Sequence, residues 1–491
     1  MQSLSTMLVG GGDSRLALDA HSGANAYGCT PHPRDRRRSW SSCTASTISP
    51  LAYGEAERAY ARLVSGDAGP PGELEEDVRS RLTEVLGVSG LGVSMVLTPS
   101  GTDAVLHALF LARALDDGPL HSVLIAPDET GSGVPYAAAG RHPDALTAGG
   151  VAVDRHMPIH GFGDGLSSTA IAVRNADGSA SALQEIDERV RDATKRALAE
   201  GKRVLLIVMD CSKLGTGYPS RACLDDLASR ADDRLLLLVD ACQGRISSER
   251  LSEHLQQGRM VMLTGSKFFC GPSFSGALLV PEALAGRCAA LREVPCGLRD
   301  YASAHAWPRS WTGVRAALPE VGNDGLVLRW MAALSEMRAY AAVPAAYRRE
   351  HLLACAASLR QGLGVQDEFV PLAVPAPLAS AGGSDAFPPT IVPFLLRHQG
   401  AIAPFDACLK VYRALCAQGI AIGQPVRVGS AGALRLCTDA RQVASQWASG
   451  RAACDTSAFI SDLGAVMRDI VRCMTQIDAT RDAIGRQGPA P

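Results

Sequence analysis

The 491-residue chain lacks any Cys-x-x-Cys pair, although its 14 cysteines run from Cys29 to Cys473. Cysteines without regular spacing exclude a zinc ribbon or a disulfide framework and fit reduced thiols in a cytoplasmic protein. A long apolar run is missing too: no stretch approaches the ~20 residues needed to span a bilayer. The opening residues MQSLSTMLVGGGDSR carry no basic segment ahead of an apolar one, so neither membrane partner nor export is expected. Nor is there an excess of one charge. With 48 basic against 50 acidic residues, no global field draws nucleic acid or an anionic membrane, and a small neutral or zwitterionic molecule is the expected partner. His156 and His160 stand four apart, but Pro158 between them and Gly161 after them break the helix that a metal pair needs, so no metal is expected.

What is present is enough apolar residue, 47% of the chain, to bury a large core divided into domains. Residues 1–50 are rich in Gly, Ser, Pro and Arg and read as an N-terminal arm, with the basic run Arg34 to Arg38 as a solvated link. From Leu51 the pattern turns helical, and the spacing of Leu74, Val78, Leu82 and Val85 predicts an amphipathic helix over Glu73 to Leu86 with an acidic first turn. Short apolar runs (VSMVLT, HSVLIAP, TAIAV, RVLLIVMD, RLLLLVD) then alternate with helical stretches such as TDAVLHALFLARAL and LQEIDERVRDATKRALAE. That alternation predicts an α/β fold with a mostly parallel sheet covered on both faces, assigned to residues 51–330, and places ligands at the strands' C-terminal ends. The helix LVLRWMAALSEMRAYAAV bridges to residues 331–491, where helices alternate with strands TIVPFLL and GALRLCT and predict a smaller α+β C-terminal domain.

Two residues organise the chemistry. Asp240 follows the aliphatic run Leu235 to Val239, and Lys267 lies in TGSKFFCGPSFSGALLV, the next strand and its loop. A carboxylate at a strand end and a lysine on the following loop are the groups that hold pyridoxal phosphate: one keeps the ring nitrogen protonated, the other binds the aldehyde. Ser100, Gly101 and Thr102 open a helix, where free N–H groups and the positive dipole end suit a phosphate. Thr264 and Ser266 add hydroxyls, Gln243 reaches toward the cofactor's phenolic oxygen, and Arg435 offers a bidentate fork to a substrate carboxylate. Taken singly, each has a plain structural reading: a helix cap for Ser100 to Thr102 and for Asp240, a surface amine for Lys267, an ion-pair partner for Arg435.

Taken together, SGT at 100–102, VDACQ at 239–243, TGSK at 264–267 with GPSFSGALLV after it, and LRLCTDA at 434–440 resemble the fold type I pyridoxal-phosphate enzymes, and within them the class V aminotransferase and cysteine desulfurase superfamily. The resemblance implies an aspartate-aminotransferase-like large domain and a homodimer with shared active sites. It makes Lys267 the Schiff-base lysine and Asp240 the pyridinium partner, with Gln243 at the phenolate side. Gly101, Thr102, Thr264 and Ser266 become the phosphate turn and Arg435 the carboxylate arginine. It also puts Ser212, in MDCSKLGTG, where an asparagine usually meets the ring oxygen, and offers Gly322 and Asn323 as a loose match to the partner's phosphate contact. Tyr27 and Thr47, on the arm, become candidates for a lid over the substrate.

Two departures bear on the reaction. Thr130 falls where the family stacks an aromatic or histidine on the ring, leaving that face open. No cysteine stands between Gly419 and Arg435, where desulfurases carry a catalytic thiol, which disfavours sulfur transfer. The expected function is an aminotransferase acting on an amino acid. A lyase working by β-elimination or C–C or C–S cleavage is the alternative, and a non-catalytic cofactor-binding protein the contrasting one.

Overall fold

The computed structural model describes residues 2–34, 38–116, 118–162, 165–230, 233–373 and 387–486, so most of the basic link, residues 35–37, lies outside the described residues. The strands are β1 (Arg38–Trp40), β2 (Ser94–Thr98), β3 (Leu120–Ile125), β4 (Leu166–Ile171), β5 (Arg203–Met209), β6 (Leu235–Asp240), β7 (Met260–Thr264), β8 (Gly276–Val280), β9 (Phe369–Pro371), β10 (Ile391–His398), β11 (Ala401–Ile402), β12 (Ile420–Val428) and β13 (Ala431–Cys437). Among the described residues no helix is long and apolar enough to cross a membrane.

Seven strands form the large sheet in the order β2-β8-β7-β6-β5-β3-β4. The runs RVLLIVM and LLLLVD form its middle because both of their faces are covered; every residue of β5 is buried. The helix Leu183–Ala199 covers the sheet with the stripe Ile186, Val190, Thr194 and Ala197, the spacing that an outer amphipathic helix shows. The expected parallel sheet has one exception. β8 runs antiparallel to both β2 and β7. Only the loop after Thr264 joins β7 to β8, too short for the helical crossover that a parallel return requires. That loop carries Lys267.

The smaller sheet runs β1-β12-β13-β10-β11, with β9 beside β10. Its outer strand comes from the N-terminal segment, since β1 pairs parallel with β12 at Trp40 and Ile422. At the other end of that segment, Leu4 and Leu8 are buried in the core of the large domain. The arm therefore ties the two domains together rather than trailing from one.

Three arginines fasten this joint. Arg245, after β6, donates to Thr390 Oγ1 at 2.7 Å and Ser42 Oγ at 2.9 Å, and also to the carbonyls of Gln243 and Thr438, so one side chain holds the arm, the large domain and the small domain. Arg329, fully buried on the helix Asp324–Ala341, donates to the carbonyls of Leu8, Gly10, Gly11 and Phe274. Arg441 pairs with the buried Glu336 at 2.8 Å and donates to the Cys270 carbonyl at 2.7 Å.

The loop that carries Lys267 is held against Asp324–Ala341 at close quarters. Trp330 Nε1 donates to the Gly276 carbonyl at 2.9 Å, and a Cβ on Gly271 would stand 2.4 Å from Ala333 Cβ and 2.8 Å from its Cα. Only glycine fits there. Cys270 and Phe274 flank this approach with φ of 60° and 68°, left-handed conformations that a non-glycine residue adopts at a cost of roughly 1 kcal/mol or more. Gly271→Ala is expected to destabilise the fold by about 1–3 kcal/mol through overpacking. Urea unfolding checks it: the midpoint falls while the slope stays unchanged.

Candidate active site

One cavity lies at the carboxyl ends of the large sheet's strands, where an α/β sheet offers its ligand crevice. β3 leads to Thr130, β5 to Lys213, β6 ends in Asp240 and β7 leads to Lys267, and all four line it. The carboxylate of Asp240 is buried. Its Oδ1 accepts from the Cys242 N–H at 3.0 Å and its Oδ2 from the Thr130 hydroxyl at 2.9 Å. Both donors are neutral, so they orient the anion without neutralising it. Lys267 has no hydrogen-bond or ion-pair partner for its amine among the described residues.

Opposite lies the start of the helix Gly101–Ala114. Ser100 caps it, accepting from the Asp103 N–H at 3.3 Å and donating to Asp103 Oδ2 at 2.5 Å. A Cβ on Gly101 would stand 2.4 Å from Cys242 Sγ, so glycine is what lets the helix start approach the loop after β6. Thr102, Thr264 and Ser266 complete this wall, with the Thr264 hydroxyl donating to the Cys242 carbonyl at 2.8 Å.

The third wall comes from the small domain and the N-terminal segment. Arg435, on β13, is buried. It donates to the Lys213 carbonyl at 3.0 Å, to Thr44 Oγ1 at 3.1 Å and to the Gln424 carbonyl, which a β-bulge after Gly423 turns out of the β12–β13 ladder. Its Nε has no partner among the described residues, and neither does the Ser273 hydroxyl in the same wall. Arg15 faces in from the segment before β1. It pairs with Asp13 at 2.5 Å and donates to the Tyr27 hydroxyl at 3.3 Å.

Three residues expected at this chain's own site are placed elsewhere. Gln243 does not line the cavity: its amide donates to the Cys43 carbonyl and accepts from Arg245, because the domain joint takes it up. Ser212 is fully buried inside its own turn, donating to Glu129 Oε2 at 2.6 Å and accepting from the N–H groups of Leu214 and Thr216. Thr47 lies past the cavity, with its carbonyl receiving Arg441, and Thr44 and Cys43 reach the wall instead. Asn323, expected to reach a partner's site rather than this one, caps the helix Asp324–Ala341 and donates to the Gly11 carbonyl along a separate groove.

Lys213, Arg15, Cys43, Thr44 and Gln424 are site residues that sequence reasoning missed. Lys213 carried a usable signal, since it follows a strand end one residue after Ser212; the others carried none. The charge balance is lopsided, with Arg15, Lys213, Lys267 and Arg435 around the single carboxylate of Asp240. Burial, then the nearby cations Arg435 and Lys267, bring Lys213 down to about 7. Beside it, burial works to raise Cys43, yet the neighbouring Cys437 and the guanidiniums of Arg435 and Arg245 lower it overall, while burial raises Cys437 well above the usual thiol range.

No family model and no curated protein matches the chain. Solved structures do. A mutant of C-DES with glycine covalently linked to its PLP cofactor superposes with a TM-score of 0.54 at 14% identity, over 86% of this chain and 97% of that one. The cysteine desulfurase CsdA of Escherichia coli gives 0.53 at 15% identity, over 91% and 96%. The glutamate decarboxylase domain of a diaminobutyrate-pyruvate transaminase and L-2,4-diaminobutyrate decarboxylase from Vibrio parahaemolyticus gives 0.52 at 15% identity, over 91% and 82%. The chain has the fold of the fold type I enzymes. Within it the small sheet and the arm close the crevice over the strand ends.

The depressed Lys213 gives a pH signature. Its folded value lies below the ordinary 10.5, so above about pH 7 the unfolded chain holds the proton more tightly, and the penalty for burying the charge is full below pH 7 and gone by 10.5. In cofactor-free protein, Lys213→Met is expected to raise the thermal midpoint by about 2–4 °C below pH 7. The gain over wild type shrinks as pH climbs toward 10.5, which calorimetry across that range checks.

Proposed function

We propose that this chain is a pyridoxal-phosphate enzyme acting on the amino group of an amino acid, with transamination as its reaction. The observation that carries the reading is that two residues line the same cavity: Lys267, whose amine has no partner among the described residues, and Asp240, a buried carboxylate that accepts from the neutral Thr130 hydroxyl and Cys242 N–H. Arg435 in the cavity wall and the helix start kept close by Gly101 suit the anionic ends of cofactor and substrate.

When bound, the cofactor supplies an aldehyde that takes up an amine and a ring that accepts the electrons released at Cα. Lys267 Nζ would hold that aldehyde and, as a free amine, would move the proton at Cα. Asp240 would hold the proton on the ring nitrogen, with Thr130 and the Cys242 N–H fixing the carboxylate's direction. The N–H groups at Gly101 and Thr102 and the hydroxyls of Thr264 and Ser266 hold the phosphate. Arg435 orients the substrate carboxylate. A homodimer is part of this reading, and light scattering tests it.

Elimination is the second reading, favoured by the wall at Thr130, where a small hydroxyl residue leaves room over the ring. The two separate by product: transamination converts the cofactor to its pyridoxamine form, while elimination releases ammonia and a keto acid and leaves the aldehyde form.

Borohydride reduction of cofactor-supplemented protein, followed by peptide mass spectrometry, is expected to find the cofactor on Lys267. Lys267→Ala removes the adduct and lowers turnover by at least roughly 10²–10⁴-fold, the range for losing a positioned base. Attachment at Lys213 instead, or no attachment, would sink the reading.

A further inference from the structure

The proposed function uses two of the four cations around the cavity and leaves Lys213 without a task. Lys267 and Arg435 are the two in use, and the remaining one, Arg15, is already paired through both carboxylate oxygens of Asp13. Among the described residues the Lys213 amine has no hydrogen-bond or ion-pair partner and Asp240 is the one carboxylate lining the cavity, with Glu129 acting on Lys213 from behind the wall.

Lys213 is not a loose surface residue. Its N–H donates to the Glu129 carbonyl at 2.8 Å, and its carbonyl receives Arg435 at 3.0 Å. The turn around it is closed by the Ser212 N–H to the Thr216 carbonyl at 2.7 Å and by the Ser212 hydroxyl on Glu129. Glu129 is itself committed to Arg174 at 2.7 Å. The backbone of Lys213 is thus fixed directly beneath the guanidinium of Arg435, with its stem directed into the cavity. An ammonium held here against burial and two like charges is stabilised by a ligand that brings a negative charge. Gln424 and Tyr27 line the same side and add polar groups.

We propose that Lys213 is a second anion-binding position, so that the substrate is an amino acid whose side chain carries its own anionic group: a carboxylate, a sulfinate or a phosphate. This rests on the reading of the cavity as a pyridoxal-phosphate site. Arg435 and Lys213 together then act as a two-point clamp on the two anionic ends of the substrate. Lys213 is a specificity-determining residue rather than a catalytic one, because the acid–base work belongs to Lys267.

The test compares succinate and glutarate with propionate at matched ionic strength, reading affinity from the thermal midpoint of the cofactor-loaded protein. The dicarboxylates are expected to bind roughly 10- to 100-fold more tightly, the range for one added hydrogen bond to a charged group. Lys213→Met should erase that preference, and Lys213→Arg, which restores a charge and serves as the folding control, should bring most of it back. O-phosphoserine against serine, and cysteine sulfinate against cysteine, distinguish which anionic group the clamp prefers. No dicarboxylate preference in wild type, or a preference untouched by Lys213→Met, overturns the inference while borohydride trapping at Lys267 still stands. If Lys213→Met weakens pyridoxal-phosphate affinity instead, Lys213 serves the cofactor's phosphate and the inference falls. The same comparison on cofactor-free protein keeps the two readings apart: a Lys213-dependent preference without trapping at Lys267 keeps the anion position and removes the cofactor.

Discussion

A single buried carboxylate facing four cationic side chains is the constraint on which the cavity is built. Like charges packed this closely repel unless something anionic enters, and the wall offers only Asp240. The chain meets part of that cost internally, by pairing Arg15 with Asp13 and by bringing Lys213 down to about 7. The remainder is left to whatever binds. A site with this imbalance selects for anions before any finer recognition acts, and a phosphate, an α-carboxylate and an acidic side chain each suit it.

Such a cavity works only if its walls stay in register, and they come from three places in the chain. Arg245 and Arg329 perform that task with buried guanidiniums spread over backbone carbonyls and hydroxyls, and Arg441 adds the Cys270 carbonyl to its ion pair with Glu336. A planar fork with five donors can satisfy several acceptors from different segments at once, which lysine cannot. The loop of Lys267 lies at the centre of this joint. Phe274 within it is held by Arg329, the Cys270 carbonyl by Arg441, and Gly271 by the backbone of the bridging helix.

The fold, and the placing of Asp240 and Lys267 on one cavity, were legible because both depend on local pattern. A run such as LLLLVD can only be an interior strand, and a polar residue at its carboxyl end in an α/β sheet faces the crevice. The same reasoning places Ser100 to Thr102, Thr264 and Ser266. It falters by one residue at Ser212, whose hydroxyl is spent closing its own turn while Lys213 takes the cavity, and by three at Thr47, where Thr44 reaches the wall. Gln243 was misplaced for a different reason. Its amide is drawn off by Cys43 and Arg245, partners that exist only once the arm has docked.

Sequence alone determined the layered α/β architecture, the smaller second domain and the meeting of Asp240 with Lys267, since hydrophobic period and strand-end position are properties of neighbouring residues. Only the tertiary structure decided which arm residues enter the site. Pairing of Trp40 with Ile422, and of Thr44 with the Gln424 N–H, joins segments some 380 residues apart, and the bulge after Gly423 that presents Gln424 to Arg435 is a consequence of that packing. Nothing in a linear pattern encodes such register, because it is set by the summed fit of two surfaces and not by any residue's own preference.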